Sequence, residues 1–256
     1  MADRVSVLGV GVHAVDLEGT LKLVAEDIGK QGKGFICLAP AHNVMACRKD
    51  PGLRVVFNHS LLNVPDGMGV VWLLRLLGHP AGRVYGPDLL IAACEKGLEN
   101  GWRHFFLGGA PDVASRLIAE LQNRFPKLKQ AGSYSPSFFG GTRANETQAM
   151  VKQINASRAD IVWVGLGSPK QEHWMSEFRP YLNAPLLIGV GAAFDFLSGT
   201  KPQAPVWIQR IGLEWLFRLV SEPRRLWRRY ANYPLFVLLA MMQILGLKRY
   251  PLEETK

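Results

Sequence analysis

Short apolar runs of strand length alternate along the chain with longer stretches in which apolar residues recur every three or four positions, the pattern of a parallel α/β sheet. Strands are predicted at residues 5–10, 35–38, 61–64, 104–107, 128–131, 161–165 and 186–190. Helices are predicted near 16–31, 69–77, 88–100, 112–125, 143–156 and 170–182. No internal repeat or low-complexity linker interrupts the series. After Phe194 the alternation stops. Residues 205–247 read as helix, a break at Ser221-Glu222-Pro223, then helix again, with Pro223 in the first turn of the second helix and Ser221 or Glu222 near its cap. The expected organisation is an α/β catalytic body over residues 1–200, a mostly parallel sheet flanked by helices, followed by a basic helical C-terminal appendage over residues 201–256.

Composition narrows the class. A chain of 256 residues that is 48% apolar and 20% charged can bury one large core or two small ones, which excludes a disordered tail or a disulfide-stapled mini-protein. Thirty Lys and Arg against 21 Asp and Glu give a net charge of +9. From Lys201 onward ten basic residues face four acidic ones, so +6 of the +9 lies in the last fifth of the chain. Such a field implies an anionic partner: nucleic acid, lipid headgroups or a phosphorylated substrate. Cys37, Cys47 and Cys94 lack the paired spacing of a zinc site or disulfide framework and read as reduced core thiols. Residues 1–16 carry no secretory signal pattern, which makes the cytoplasm the expected compartment. Residues 231–247 carry no charge over 17 positions, the lower limit for a spanning helix. The segment contains Asn232, Pro234 and Gln243, and its densest stretch, 234–247, rises only about 21 Å as a helix against a hydrocarbon core of ~30 Å. An interfacial or packed helix is therefore expected.

The absent motifs also prune. There is no Walker A loop, no His-Glu-x-x-His, no Gly-x-Ser-x-Gly elbow and no Asp-x-Asp pair. Gly9-Val-Gly11-Val-His-Ala14 matches the loose dinucleotide fingerprint, but the next strand ends without the acidic residue that would hold a ribose, so a plain strand-to-helix turn is expected there. Pro65-Asp66-Gly67 places a carboxylate at the carboxyl end of a strand, where open α/β sheets bind ligands. Enclosed by Leu, Val and Trp72, Asp66 is a candidate general base with a raised pKa; the bland alternative is an Asp-Gly turn. Gly108-Gly109-Ala-Pro-Asp112 and Gly165-Leu-Gly167-Ser-Pro-Lys170-Gln171-Glu172 each run strand, glycine loop, helix, which offers an anion site at a helix N-terminus, or a tight turn alone. Arg224, Arg225, Arg228 and Arg229 span an arc of about 140° on one helix face, opposite Leu226 and Trp227. Four guanidinium groups so placed clamp a diphosphate or lipid headgroups, or form a solvated basic face.

Taken in order, the Asn43 segment, Pro65-Asp66-Gly67-Met-Gly69, Arg83-Val-Tyr-Gly86-Pro-Asp88, Gly165-Leu-Gly-Ser-Pro-Lys-Gln-Glu172, Gly189-Val-Gly-Ala-Ala-Phe-Asp195-Phe and Gly212-Leu-Glu-Trp215 resemble the WecG/TagA/CpsF family of bacterial glycosyltransferases over about residues 7–230. The resemblance implies a Rossmann-like fold and an inverting, metal-independent transfer from a UDP-sugar to a polyprenyl-diphosphate-linked sugar. It implies no cofactor, no metal and no nucleic-acid partner, and a peripheral position at the cytoplasmic face of the plasma membrane in cell-surface polysaccharide assembly. By the same resemblance Asp66 is the general base, and Asn43 and Arg83 hold donor and acceptor. Gln171 and Asp195 contact the donor, with Asp195 at the uracil and Gly108-Gly109 at the nucleotide. Arg224, Arg225, Arg228 and Arg229 belong to an appendage that covers the site and holds the lipid diphosphate. The chain departs from the family pattern at Ala41, where many members carry Thr, and at Gln203, where many carry Arg. The donor sugar stays open between N-acetylmannosamine, its uronic acid and glucose, and the apolar tail is a candidate homo-oligomer contact. The competing readings are a nicotinamide-dependent oxidoreductase built on Gly9 and Gly11, and a non-catalytic basic module binding lipid or nucleic acid.

Overall fold

A computed structural model describes residues 2–136 and 144–252, so Arg143, the expected start of a helix, lies outside the described residues. The elements run β1 (Arg4–Val7), β2 (Val10–His13), α1 (Leu17–Gly29), β3 (Gly34–Leu38), α2 (Ala41–Lys49), α3 (Pro51–His59), β4 (Leu62–Val64) and α4 (Met68–Leu76). Then come α5 (Gly86–Asn100), β5 (Arg103–Gly108), α6 (Pro111–Arg124), β6 (Lys129–Tyr134), α7 (Ala144–Ser157), β7 (Ile161–Gly165), α8 (Lys170–Phe178), β8 (Leu186–Gly189) and α9 (Ala193–Leu197). The helices α10 (Val206–Arg210), α11 (Glu214–Ser221), α12 (Pro223–Tyr230) and α13 (Tyr233–Ile244) follow. The chain forms two compact units: one of Met1–Thr20, Leu38–Tyr85 and Gln203–Lys256, the other of Leu21–Cys37 and Gly86–Pro202.

The second unit is the α/β layer structure expected from the alternating pattern. Its parallel strands lie in the order β3-β8-β7-β5-β6. β5, β7 and β8 are buried almost throughout, with helices packed around them, which is why they read in sequence as nearly uninterrupted apolar runs. Trp163, Phe105, Phe106 and Phe194 fill the core. His104 sits among them, stacked on Trp163, whose Nε1 donates to His104 Nδ1 at 3.1 Å.

The first unit departs from expectation at its start. Residues 5–10 are not one strand: β1 and β2 form an antiparallel hairpin with Val7 opposite Val10 and Arg4 opposite His13. The two turn residues, Leu8 and Gly9, have φ of 52° and 93°, the positive values a two-residue hairpin turn requires. Gly9 and Gly11 therefore lie in a hairpin and not in a strand-to-helix turn, which removes the geometric basis of the nicotinamide reading. Asn58 and Asn63 lock the hairpin in place. Gly11 N–H donates to Asn58 Oδ1 at 2.9 Å, and Asn63 Nδ2 donates to Gly11 C=O at 2.8 Å. Asn63 also fixes the entry to β4, its N–H donating to His13 Nδ1 at 3.1 Å. Helices α2 and α3, absent from the sequence prediction, follow β3 and lead into β4.

The C-terminal segment of this unit breaks at Glu222, as the Ser-Glu-Pro signal predicts, with Pro223 in the first turn of α12. It breaks twice more, after α10 and after α12. At the first of these breaks Gly212 has φ +74°, and a Cβ there would lie 2.7 Å from the Trp72 ring. No helix among the described residues is long and apolar enough to cross a membrane. The charge-free tail instead packs on α2 and α4 as α13. Gln243 pins it to the hairpin: its Nε2 donates to Ser6 C=O at 2.6 Å, and its Oε1 accepts from Leu8 N–H at 3.1 Å. The polar residues that interrupt the apolar tail are thus docking groups, since Asn232 likewise accepts from Lys49 Nζ at 3.1 Å.

Candidate active site

In the first unit the chain leaves β4 through Pro65-Asp66-Gly67 and enters α4, with Gly67 at φ +84°, a conformation that favours glycine. Val84 N–H donates to Pro65 C=O at 2.8 Å, which holds the loop carrying Arg83 against the strand end. Arg83 Nε then lies 3.8 Å from Asp66 Oδ1, and both side chains are largely enclosed. Arg83 also donates to Glu214, and to Gln209 Oε1 at 3.0 Å, while its guanidinium lies 4.1 Å over the Tyr85 ring. Burial alone would lower the pKa of Arg83, but the Asp66 and Glu214 carboxylates outweigh it and raise the value.

Asp66, Arg83, Gln209 and Glu214 line a cavity of about 60 Å³ that opens to solvent. Arg218, His42, Trp215 and Tyr230 form further parts of its wall. Burial works against the charge on Arg218, but Tyr230, Glu214, Tyr85 and Asp66 together raise its pKa. His42 is held well below its usual pKa by burial and by the charges of Arg229 and Arg218, which keeps the ring neutral. Its Nδ1 is buried without a hydrogen-bond partner, and its ring stands edge-on to Tyr230 with centroids 5.8 Å apart.

The surroundings of Asp66 differ from the apolar pocket read from the sequence. Arg83, Glu214 and Arg218 share its cavity, whereas Trp72 lines a neighbouring apolar one. Asn43 is buried on the first turn of α2, where its Nδ2 donates to Leu38 C=O at 3.1 Å, and it does not line the cavity. Arg224, Arg225 and Arg228 project from α12 into solvent, and Arg229 is half-buried. Arg225 pairs with Glu222, and Arg228 lies 5.3 Å over the Trp227 ring. Leu226 is buried, but Trp227 is 54% exposed, because α12 sinks only the Leu226 and Tyr230 stripe, one helical turn apart. None of these four arginines lines the Asp66 cavity; Arg218, which the sequence reading counted only as charge, does.

The second unit gathers the remaining expected residues at the carboxyl ends of adjacent strands. Gly108 of β5 pairs with Gly165 of β7, and a Cβ on Gly108 would lie 2.7 Å from the Gly165 backbone. A Cβ on Gly165 would in turn lie 2.6 Å from the Phe194 ring. Gln171, in the first turn of α8, reaches the end of β8: a Cβ on Gly189 would meet its Nε2 at 3.0 Å. Gln171 Nε2 donates to Glu172 Oε1 at 3.0 Å, and Gln171 Oε1 is buried without a hydrogen-bond partner. The N-termini of α6 and α8 follow the Gly108-Gly109 and Gly167 loops and point positive dipole ends at this edge. Asp195 on α9 pairs with Lys201 Nζ at 2.9 Å.

Comparison with known proteins bears on these two arrangements. The profile of the glycosyl transferase WecG/TagA/CpsF family matches residues 5–250. A protein of Bacillus spizizenii (strain ATCC 23059 / NRRL B-14472 / W23), named N-acetylglucosaminyldiphosphoundecaprenol N-acetyl-beta-D-mannosaminyltransferase, is 32% identical over 209 residues, which cover 81% of this chain and 79% of the relative. A protein of the same name from Bacillus subtilis (strain 168) is 31% identical over 199 residues, or 77% of this chain and 75% of the relative. The match spans the Asp66 loop, the glycine loops and the C-terminal helices alike, and the chain belongs to the WecG/TagA/CpsF family and is a glycosyltransferase.

Proposed function

We propose that this glycosyltransferase moves N-acetylmannosamine from a UDP-sugar to the sugar of a polyprenyl-diphosphate-linked acceptor, with inversion and without a metal ion. The observation that carries the reading is the Asp66 carboxylate at the end of β4, in a cavity whose wall also holds Arg83 and Arg218. The names of the two relatives support the acceptor class and the transferred sugar. Asp66 takes the proton of the acceptor hydroxyl as that oxygen attacks the anomeric carbon. The carbon–oxygen bond to UDP breaks, and UDP leaves with the electron pair. Arg83 and Arg218 supply fixed positive charge for the phosphates, a role for preorganised cations in a site screened from water. Gly108, Gly109, Gln171 and Asp195 hold the nucleotide sugar, and Asn43 fixes the first turn of α2 beside the cavity. Arg224, Arg225, Arg228 and Arg229 draw the acceptor's diphosphate and anionic headgroups toward the protein at the cytoplasmic face of the membrane.

The test is UDP release by the purified protein in excess EDTA, with UDP-linked N-acetylmannosamine, its uronic acid and glucose as donors and a short-chain polyprenyl-diphosphate sugar as acceptor. Acceptor-dependent release with the first donor is expected. Activity that disappears in EDTA and returns with a divalent cation would exclude the metal-free mechanism. Asp66→Asn is expected to lower turnover by about 10²–10⁴-fold, the usual contribution of a general base, while UDP affinity measured by calorimetry stays unchanged. Full activity in that variant would remove Asp66 from the role.

A further inference from the structure

Beside the Asp66 cavity lies a second one of about 240 Å³ with a largely apolar lining. Helix α4 contributes Gly69, Trp72, Leu73 and Leu76, and α13 contributes the stripe at matching three- and four-residue steps from Tyr233 to Ile244. Gly69, Gly212, Trp215 and Tyr233 line both cavities, so polar pocket and apolar groove adjoin. Parts of the groove remain open: Trp72 is 44% exposed, Leu76 66%, Val237 53% and Met241 54%. A contiguous apolar surface of this kind beside a charged pocket marks a binding site. The clamp of Gln243 on the hairpin and of Asn232 on Lys49 holds α13 in position, so the groove is formed before any ligand arrives.

The order of chemistry along this surface, carboxylate and guanidinium groups first and then hydrocarbon, matches the order along a prenyl diphosphate. We propose that the α4–α13 groove binds the first isoprene units of the acceptor lipid, an inference that rests on the polyprenyl-diphosphate acceptor proposed above. The diphosphate sits in the Arg83 and Arg218 pocket, and the chain runs out between Trp72 and Val237. The groove then makes the enzyme selective for the lipid as well as for the sugar.

The experiment reads binding, so that it is independent of turnover. The 256-residue chain is titrated calorimetrically with farnesyl diphosphate and, separately, with inorganic pyrophosphate. Farnesyl diphosphate is expected to bind at least tenfold more tightly. Two variants fill the groove: Ala240→Phe from its buried wall and Val237→Trp from its exposed rim, the latter at a position where the fold tolerates a larger side chain. Both are expected to lose the preference for farnesyl diphosphate and to keep the pyrophosphate affinity of the parent. Equal affinity for the two ligands in the parent, or loss of both in the folded Val237→Trp variant, would overturn the proposal. A change in oligomeric mass on light scattering with the farnesyl preference intact would also overturn it, assigning the groove to a second copy of the chain. Failure of every donor in the transfer assay with the farnesyl preference retained would sink the proposed reaction and leave the prenyl site standing. Turnover without that preference would sink the groove alone.

Discussion

Arg83 lies between two carboxylates, and their unequal distances matter. Glu214 is hydrogen-bonded to it, while Asp66 stands 3.8 Å from its Nε, beyond hydrogen-bond reach. In the proposed mechanism, Glu214 thus occupies a guanidinium that would otherwise pair with Asp66 and make the proposed base weaker. Glu214→Gln is expected to cost about 2 kcal/mol of stability by urea denaturation, since Arg83 loses one buried partner but keeps Gln209. In the transfer assay it is expected to lower turnover and to move the acid limb of the pH–rate profile to lower pH; a shift to higher pH would contradict the arrangement. A second residue-scale effect lies far from the chemistry. Burial lowers the pKa of His104 to about 4. For His13 burial is the main cause, helped by Arg4 and opposed by the backbone hydrogen bond from Asn63, and the result is also about 4. The unfolded chain, with histidine near 6.5, binds more protons than the folded one between these values, so this stability is complete above pH 6.5 and is lost as pH falls toward 4. Each histidine contributes at most about 3 kcal/mol by this linkage. Because Trp163 donates to His104 Nδ1, His104→Gln keeps an acceptor there, and its unfolding free energy is expected to fall less between pH 6.5 and 4.5 than that of the parent.

At the scale of elements, the glycine loops are built by close approach as much as by flexibility. Gly165→Ala places a methyl carbon against Phe194, and overpacking of this kind typically costs about 1–3 kcal/mol. The variant is expected to melt earlier and to bind UDP more weakly, because Gly165 backs the Gly108-Gly109 loop through a 3.4 Å contact from Gly109 N–H to its carbonyl. Unchanged UDP affinity in a destabilised variant would separate the loop from the nucleotide. β3, β5, β7 and β8 were readable because burial on both faces writes itself as apolar runs. The hairpin was not, because Leu8 takes a positive φ that its residue type does not announce. Helix α2 was missed because Pro40 gives it no side-chain cap and its sequence is weakly amphipathic, with His42 and Asn43 in the first turn. Helix α3 did carry a signal: Asp50 caps it by accepting from Leu53 N–H at 3.0 Å, with Pro51 in the first turn. In the site, Asp66 was legible as a carboxylate at a strand end. Arg218 was not singled out, although its four-residue spacing from Glu214 on one helix puts both on the same face.

For the whole molecule, the concentration of charge after Lys201 meets an apolar surface on the same stretch of chain. Arg224, Arg225 and Arg228 are exposed on α12, and Leu235 and Leu238 are exposed on α13, away from the groove-lining stripe. A membrane surface with anionic lipids answers both features, whereas nucleic acid answers only the first. Near such a surface each basic residue is worth about 1 kcal/mol, so Arg224→Ser with Arg228→Ser should lower partitioning by about 2 kcal/mol, or ~30-fold. The effect should fade in high salt, where the Debye length falls to a few ångströms. Leu235→Ser with Leu238→Ser should instead lower the part of the binding that salt leaves intact, because apolar burial is not screened. Sedimentation with sucrose-loaded vesicles, neutral or containing anionic phospholipid, at low and high salt separates the two contributions. Partitioning that ignores salt and lipid charge would remove the arginine face from membrane attachment and leave it to the lipid diphosphate alone.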